Sequence, residues 1–116
     1  DLLDLSFVES HDCFTSAELI EYEAMGLTAP GEGERAILEG WVERDGKLPV
    51  NPSGGLESKG HPIGATGLAQ VFELVTQLRG EARLRQVADA RVAVAENGGG
   101  LWGVEEAVCV VSVFSR

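Results

Sequence analysis

Apolar and polar positions along this chain fall into short blocks with two different periods. Residues 4–10, DLSFVES, alternate, with β-formers at Leu5, Phe7 and Val8, and predict a first strand. It stops at His11-Asp12-Cys13-Phe14. Thr15 then stands three residues before Glu18, the spacing of a capping box, and the run ELIEYEAMG follows. Leu19, Ile20, Ala24 and Met25 form the apolar stripe of that helix. Gly26 and the Ala29-Pro30-Gly31 turn end it. Residues 32–40 predict a second short helix, polar except at Ala36, Ile37 and Leu38. WVERDGK reads as surface with a turn at Asp45-Gly46, and Leu48-Pro49-Val50-Asn51 as a short extended piece. Pro49 argues against a long central strand there.

The segment 63–79, IGATGLAQVFELVTQLR, carries the strongest helical pattern. Ala65, Leu68, Ala69, Val71, Phe72, Leu74, Val75 and Leu78 cover more than one face, and only Glu73 and Arg79 are charged. A helix apolar nearly all round is expected to be buried on several sides, sandwiched between layers. Gly80 ends it, and Arg79, Arg83 and Arg85 form a basic patch around the next turn. Residues 91–95, RVAVA, and 107–114, AVCVVSVF, are β-branched runs that predict two further strands. Between them ENGGGLWGVEE reads as a glycine-rich connection, with Trp102 and Glu105-Glu106 as solvated turn residues. The order β-α-α-β-α-β-β points to an α/β fold, a mixed sheet with helices on its faces. No repeat and no long linker divides the chain.

Composition narrows the function classes. The 116 residues are 44% hydrophobic and 24% charged, as in one soluble globular domain. The net charge of −10 repels phosphate backbones, so nucleic acid is not an expected partner. No apolar run approaches the ~20 residues of a membrane span. The acidic start DLLDLSFVES lacks the basic region of a signal peptide and has no Met, which suggests a piece of a longer, cytoplasmic protein. The C-terminus carries no peroxisomal signal. Cys13 and Cys109 lie far apart and neither has a CxxC partner, so neither a disulfide framework nor a metal site is expected. Both read as reduced thiols, with Cys109, in mid-strand, expected in the core.

Three constellations could carry chemistry. In NPSGGLESKGHPIGATG, residues 51–67, Pro62 suits a first helical position, which places His61 at or next to a helix N-cap. The helix dipole there favours a neutral imidazole, able to donate from one nitrogen and accept at the other. Gly54, Gly55 and Gly60 leave room for a ligand or another backbone. A tight turn with a capping histidine accounts for this segment equally well. In His11-Asp12-Cys13-Phe14, at a strand end where open α/β sheets bind ligands, His11 and Cys13 point to one side. A thiol beside an imidazole can have a lowered pKa and shuttle protons. A buried structural cysteine is the competing reading. Glu96-Asn97-Gly98-Gly99-Gly100 lacks the Gly-Lys-Ser/Thr and following helix of a phosphate loop. Its glycines instead allow close backbone approach to a ligand or supply N–H donors to an oxyanion.

Taken together, HDCFTSAELIEYEAMGL, VNPSGGLESKGHPIGATGLAQVFELVTQLRGEA and RQVADARVAVAENGGG resemble the C-terminal half of thiolases. The nearest branch is the sterol-carrier-protein-type thiolases and their bacterial thiolase-like, lipid-transfer-protein-like relatives. HDCF paired with GHPIGATG is a specific signature. The resemblance implies two similar βαβαβαββ halves with a buried central helix pair, this chain being residues 1–116 of the latter part of the C-terminal domain. It also implies an acyl-CoA acyltransferase that makes or breaks a C–C bond next to a thioester, with coenzyme A as substrate or product and no bound cofactor. The partners it implies are acyl-CoA, the missing N-terminal half and a second copy in a homodimer. In such enzymes a cysteine of the first half, outside this chain, is acylated. The branch's acid/base thiol matches Cys13, its nucleophile-activating oxyanion donor matches His61, and a second oxyanion donor matches His11. Asn51, Gly54, Gly55, Gly60, Gly98 and Gly99 would line the substrate. Glu96-Asn97 stands where the branch often has His-Asn, so Glu96 is a candidate acid/base. That departure leaves room for a retro-aldolase acting on a β-hydroxyacyl-CoA such as a steroid side chain, or for a non-catalytic acyl-CoA-binding subunit.

Overall fold

The computed structural model describes residues 1–104 and 106–116 and contains a three-stranded mixed sheet. Strand β1 (Phe7–Glu9) pairs in parallel with β2 (Val92–Gly99), and β2 pairs antiparallel with β3 (Val108–Ser115), so β2 is central. From β1 the chain crosses to β2 through α1 (Thr15–Ala24), α2 (Gly33–Leu38), α3 (Gly55–Lys59) and α4 (Thr66–Leu78). Parallel pairing demands such a crossover, because a tight hairpin returns the chain antiparallel.

Successive residues of β1 face opposite ways, and each anchors a core. Phe7 packs with Leu74 and Leu78 of α4 and with Val87, Ala90, Ala93 and Ala95. Val8 packs with Tyr22 of α1, Ala36 of α2, Leu27, Leu48 and Val50. The sheet therefore lies between α4 on one face and α1 and α2 on the other, as the α/β pattern predicts.

Several local expectations need correction. The first strand is short: Leu2–Asp4 form a 3₁₀ turn closed by a capping box between Asp1 and Asp4. The Thr15/Glu18 box does not form, because Thr15 is already inside α1, which has Phe14 as its N-cap and no side-chain cap. Glu18 instead accepts the Tyr22 hydroxyl at 2.6 Å. Leu48–Asn51 contributes one isolated parallel bridge, Val8 to Val50. Strand β2 continues through Glu96, Asn97, Gly98 and Gly99, assigned above to a connection. Residues Val108–Val111 pair with each of them, and that pairing overrides the low strand propensity of Asn and Gly. Cys109 is exposed, not core, because β3 is an edge strand with little covering its faces. Its Sγ lies 3.1 Å from Glu96 Oε1, and that hydrogen bond, with burial next, pushes the thiol up to about 11. Trp102 is exposed as expected, whereas Glu105 lies outside the described residues.

The largest departure concerns α4. Its apolar face is not buried on several sides within this chain: Leu68 is 74% and Phe72 69% exposed. The buried stripe contains Thr66, Gln70, Glu73 and Gln77, spaced so that they share one helix face, together with Leu74 and Leu78. Each polar member has a partner. Gln70 Nε2 donates to the carbonyls of Glu9 and Glu96. Gln77 Nε2 donates to the Arg85 carbonyl and its Oε1 accepts from Val87 N–H. Arg85 bonds Glu73 at 2.9 Å. Buried polar groups are tolerated only when so satisfied.

Two measurements probe this framework. Gly55 has φ +63°, and a Cβ there would overlap the Asp12 carboxylate that accepts Leu56 N–H at 2.7 Å. Gly55→Ala is expected to cost about 2 kcal/mol or more in urea denaturation, from backbone strain and overlap together. Gly64→Ala, where an added Cβ meets nothing, should stay near wild type. Glu21, on α1, has a buried Oε2 without a partner among the described residues. Burial, reinforced by the Glu96, Asp12 and Glu18 carboxylates, pushes its carboxyl up to about 7. A raised folded-state pKa means stability present in acid and lost as pH rises from about 4.5 through about 7. Glu21→Gln should therefore stabilise the chain at pH 8 by roughly 1–2 kcal/mol, after discounting for partial exposure, and have no effect near pH 4.

Candidate functional site

The C-terminal ends of the two parallel strands lie side by side, and the residues beyond them converge. Past β1 come His11 and Cys13. The turn between α3 and α4 brings His61, and the end of β2 brings Asn97 and the Gly98–Gly100 run. These residues, with Glu106, line one cavity of about 810 Å³. Strand ends of this kind are where open α/β sheets place ligands.

His11 is buried, and its ring meets that of His61 edge to face, with centroids 4.9 Å apart and planes at 87°. The His11 N–H donates to Glu96 Oε2 at 3.1 Å, and Asn97 Nδ2 lies 3.0 Å from His11 Nδ1. His61 is exposed, with Nδ1 2.7 Å from the Thr66 hydroxyl in the first turn of α4. It is not an N-cap: α4 begins at Thr66 with Ala65 in that place. Pro62 stands four residues ahead of the helix start, and its carbonyl accepts from the N–H groups of Ala65 and Thr66 in the turn that leads into it. The imidazole is thus aimed by a hydroxyl and by the turn.

Cys13 is half-buried beside His11. Its thiol is pushed up, not down as adjacency to an imidazole would suggest. Burial is the main cause, and the Glu106 carboxylate adds to it. At neutral pH Cys13 therefore holds its proton and can deliver it. A ring nitrogen of His11, the Cys13 sulfur and a Glu106 oxygen lie within 4.8 Å of one another. The Glu106 carboxylate occupies the space that a Cβ on Gly98 would need.

The remaining predicted residues sit differently. Gly98 and Gly99 line the cavity. Glu96, the neighbour of Asn97 on β2, points to the sheet face opposite the Asn97 side chain, with its carboxylate engaged by Cys109 and by the His11 N–H. Asn51 has φ +50° and clamps the chain after β1, Oδ1 accepting from Ser10 N–H at 2.8 Å. Gly54 and Gly55 open α3 with positive φ, and Gly60 closes it at φ +92°. Asn51, Gly54, Gly55 and Gly60 frame the loop that carries His61 and do not line the cavity.

Sequence reasoning passed over Asp12, Gln70, Asn97 and Glu106 as site-building residues. Gln70 carried a readable signal, an amide in the middle of an apolar helix. Glu106 carried none, since a carboxylate in a turn is ordinary until tertiary structure brings it to a thiol.

Comparison with known proteins gives this geometry a family. The profile described as thiolase C-terminal domain-like matches residues 2–113. An acetyl-CoA acetyltransferase of Methanothermobacter thermautotrophicus is 48% identical over 113 residues, which is 97% of this chain and 28% of that protein. Sterol carrier protein 2 of Bos taurus is 54% identical over 96 residues, 83% of this chain and 18% of that protein. Among solved structures, an Ltp2-ChsH2(DUF35) aldolase superposes with a TM-score of 0.74 at 28% identity, covering 83% of this chain and 24% of the other. The chain thus spans between about a fifth and a little over a quarter of the relatives it matches. It belongs to the thiolase C-terminal domain-like family.

Proposed function

We propose that residues 1–116 are the latter part of the C-terminal domain of a cytoplasmic, homodimeric acyl-CoA enzyme that cleaves or forms a C–C bond next to a thioester. The carrying observation is the convergence of His11, Cys13 and His61, from two separated segments, on one cavity. In thiolysis of a 3-ketoacyl-CoA, a cysteine thiolate from the missing first half attacks the C3 carbonyl and the C2–C3 bond breaks. The departing acetyl-CoA enolate takes a proton from the Cys13 thiol, and free CoA then releases the acyl group from the enzyme. A thiol kept protonated by burial and by Glu106 suits that acid role. His61 and His11 are the donors to the oxyanions that form, each worth roughly 3–4 kcal/mol in a dry site. Gly98 and Gly99 admit the thioester, while Asn51, Gly54, Gly55 and Gly60 hold the His61 loop in place.

A second reading, retro-aldol cleavage of a β-hydroxyacyl-CoA, is favoured by the likeness to the aldolase. It needs no free CoA: the hydroxyl loses its proton, the C–C bond breaks to a carbonyl compound, and the enolate is protonated. Mixing the full-length protein with each substrate separates the two. Consumption of CoA with a 3-ketoacyl-CoA supports thiolysis, and CoA-independent loss of the β-hydroxyacyl-CoA supports the aldolase. Turnover of neither would leave an acyl-CoA-binding subunit.

In the full-length protein Cys13→Ala is expected to abolish thiolysis with the circular dichroism spectrum retained; turnover near wild type would overturn its role. His61→Ala should slow acylation by at least roughly a hundredfold, the effect of one lost oxyanion donor. An acyl-enzyme burst of unchanged rate would show that His61 has no such part.

A further inference from the structure

The buried polar stripe of α4 reaches the cavity through a relay whose polarity can be read from the main chain. Gln70 is fully buried, and its Nε2 lies 2.7 Å from the Glu96 carbonyl and 3.3 Å from the Glu9 carbonyl. Carbonyls only accept, so the Gln70 amide has one possible orientation, nitrogen toward the strand ends and oxygen away. That oxygen lies 3.1 Å from the Asn97 amide, which must present its nitrogen there. The second hydrogen of the same nitrogen is directed at His11 Nδ1, 3.0 Å away. A ring nitrogen that receives a hydrogen bond carries no proton.

We propose that Gln70 and Asn97 are positioning residues that hold neutral His11 in its Nε2–H tautomer, so that it turns a donor, not a lone pair, toward the cavity. This rests on the reading above that a thioester oxygen develops negative charge there, and it narrows the role of His11. With its proton on Nε2 and its Nδ1 occupied, His11 cannot take the Cys13 proton. Its contribution is a hydrogen bond to an oxyanion, aimed from the ends of β1 and β2 through two amides. The same relay argues against a cation between His11, Cys13 and Glu106, close as they are. Coordination would require a free lone pair on one ring nitrogen. Nε2 could offer it only if the proton moved to Nδ1, against the Asn97 hydrogens, with both amides reversed against two fixed carbonyls.

The test is nitrogen-15 NMR of histidine-labelled full-length protein, with His11→Asn and His61→Asn assigning the two imidazole signals. Wild type should show His11 protonated at Nε2 and unprotonated at Nδ1. Asn97→Asp places an acceptor opposite Nδ1 and should move the proton there, inverting the pattern while the His61 signals stay. Gln70→Leu should free the Asn97 amide and yield a mixture. A His11 ring protonated at Nδ1 in wild type, a mixture already in wild type, or no change in Asn97→Asp would each overturn the proposal. The wild-type spectrum is decisive even if a variant does not fold. None of these spectra depends on turnover, so the tautomer can fail while the acyl-CoA reading stands, and the reverse.

Discussion

The Gln70 side chain lies where β1, β2 and α4 meet, and it bridges the two parallel strands at the ends that matter. Its amide joins the last carbonyl of β1 to that of Glu96 on β2 and passes orientation on to Asn97 and His11. A leucine of similar size would pack there, yet it would remove the hydrogen bonds donated to both carbonyls, about 0.5–1.5 kcal/mol each. The strand ends are set by main-chain pairing, and the side chains beyond them inherit that registration. The cavity thus has a rigid wall made from secondary structure, and His11 is attached to it at both its N–H and its ring.

A second theme is the burial of acids in an acidic chain. Glu9 is fully buried in β1, where Ser53 donates from both its N–H and its hydroxyl, with Lys59 3.4 Å away. Burial still pushes its carboxyl up. Glu73 faces Arg85, and Asp12 caps the start of α3. Several of these partners are supplied by loops leading to the candidate site. The polar interior is therefore also the scaffolding that orients those loops. At Cys13 itself, burial and then the Glu106 and Glu21 carboxylates favour the thiol over the thiolate.

The outer surfaces of α4 and β3 have a different character. Ile63, Leu68 and Phe72 stand exposed beside the valines of β3, while the side of α4 facing the sheet carries the amides. The chain covers only part of each relative it matches, so these apolar faces belong to a piece whose relatives carry much more polypeptide.

What the sequence determined by itself is the set of local and chemical choices. Phe7 and Val8 on an alternating segment, the β-branched runs of β2 and β3 and the long apolar helix specify an α/β sheet with its helices. HDCF and GHPIGATG are legible because their side chains are chemically unusual and closely spaced. Tertiary structure alone decided how far β2 runs, since Glu96 to Gly99 become strand only when β3 pairs with them. It also decided which face of α4 is buried: the amides of Gln70 and Gln77 meet carbonyls presented by distant strands and loops, whereas Leu68 and Phe72 stay exposed within this chain. Glu106 meets Cys13, and Asn97 meets His11, only through contacts between residues more than eighty positions apart. Periodicity reports what one element prefers, and those contacts depend on where the other elements end.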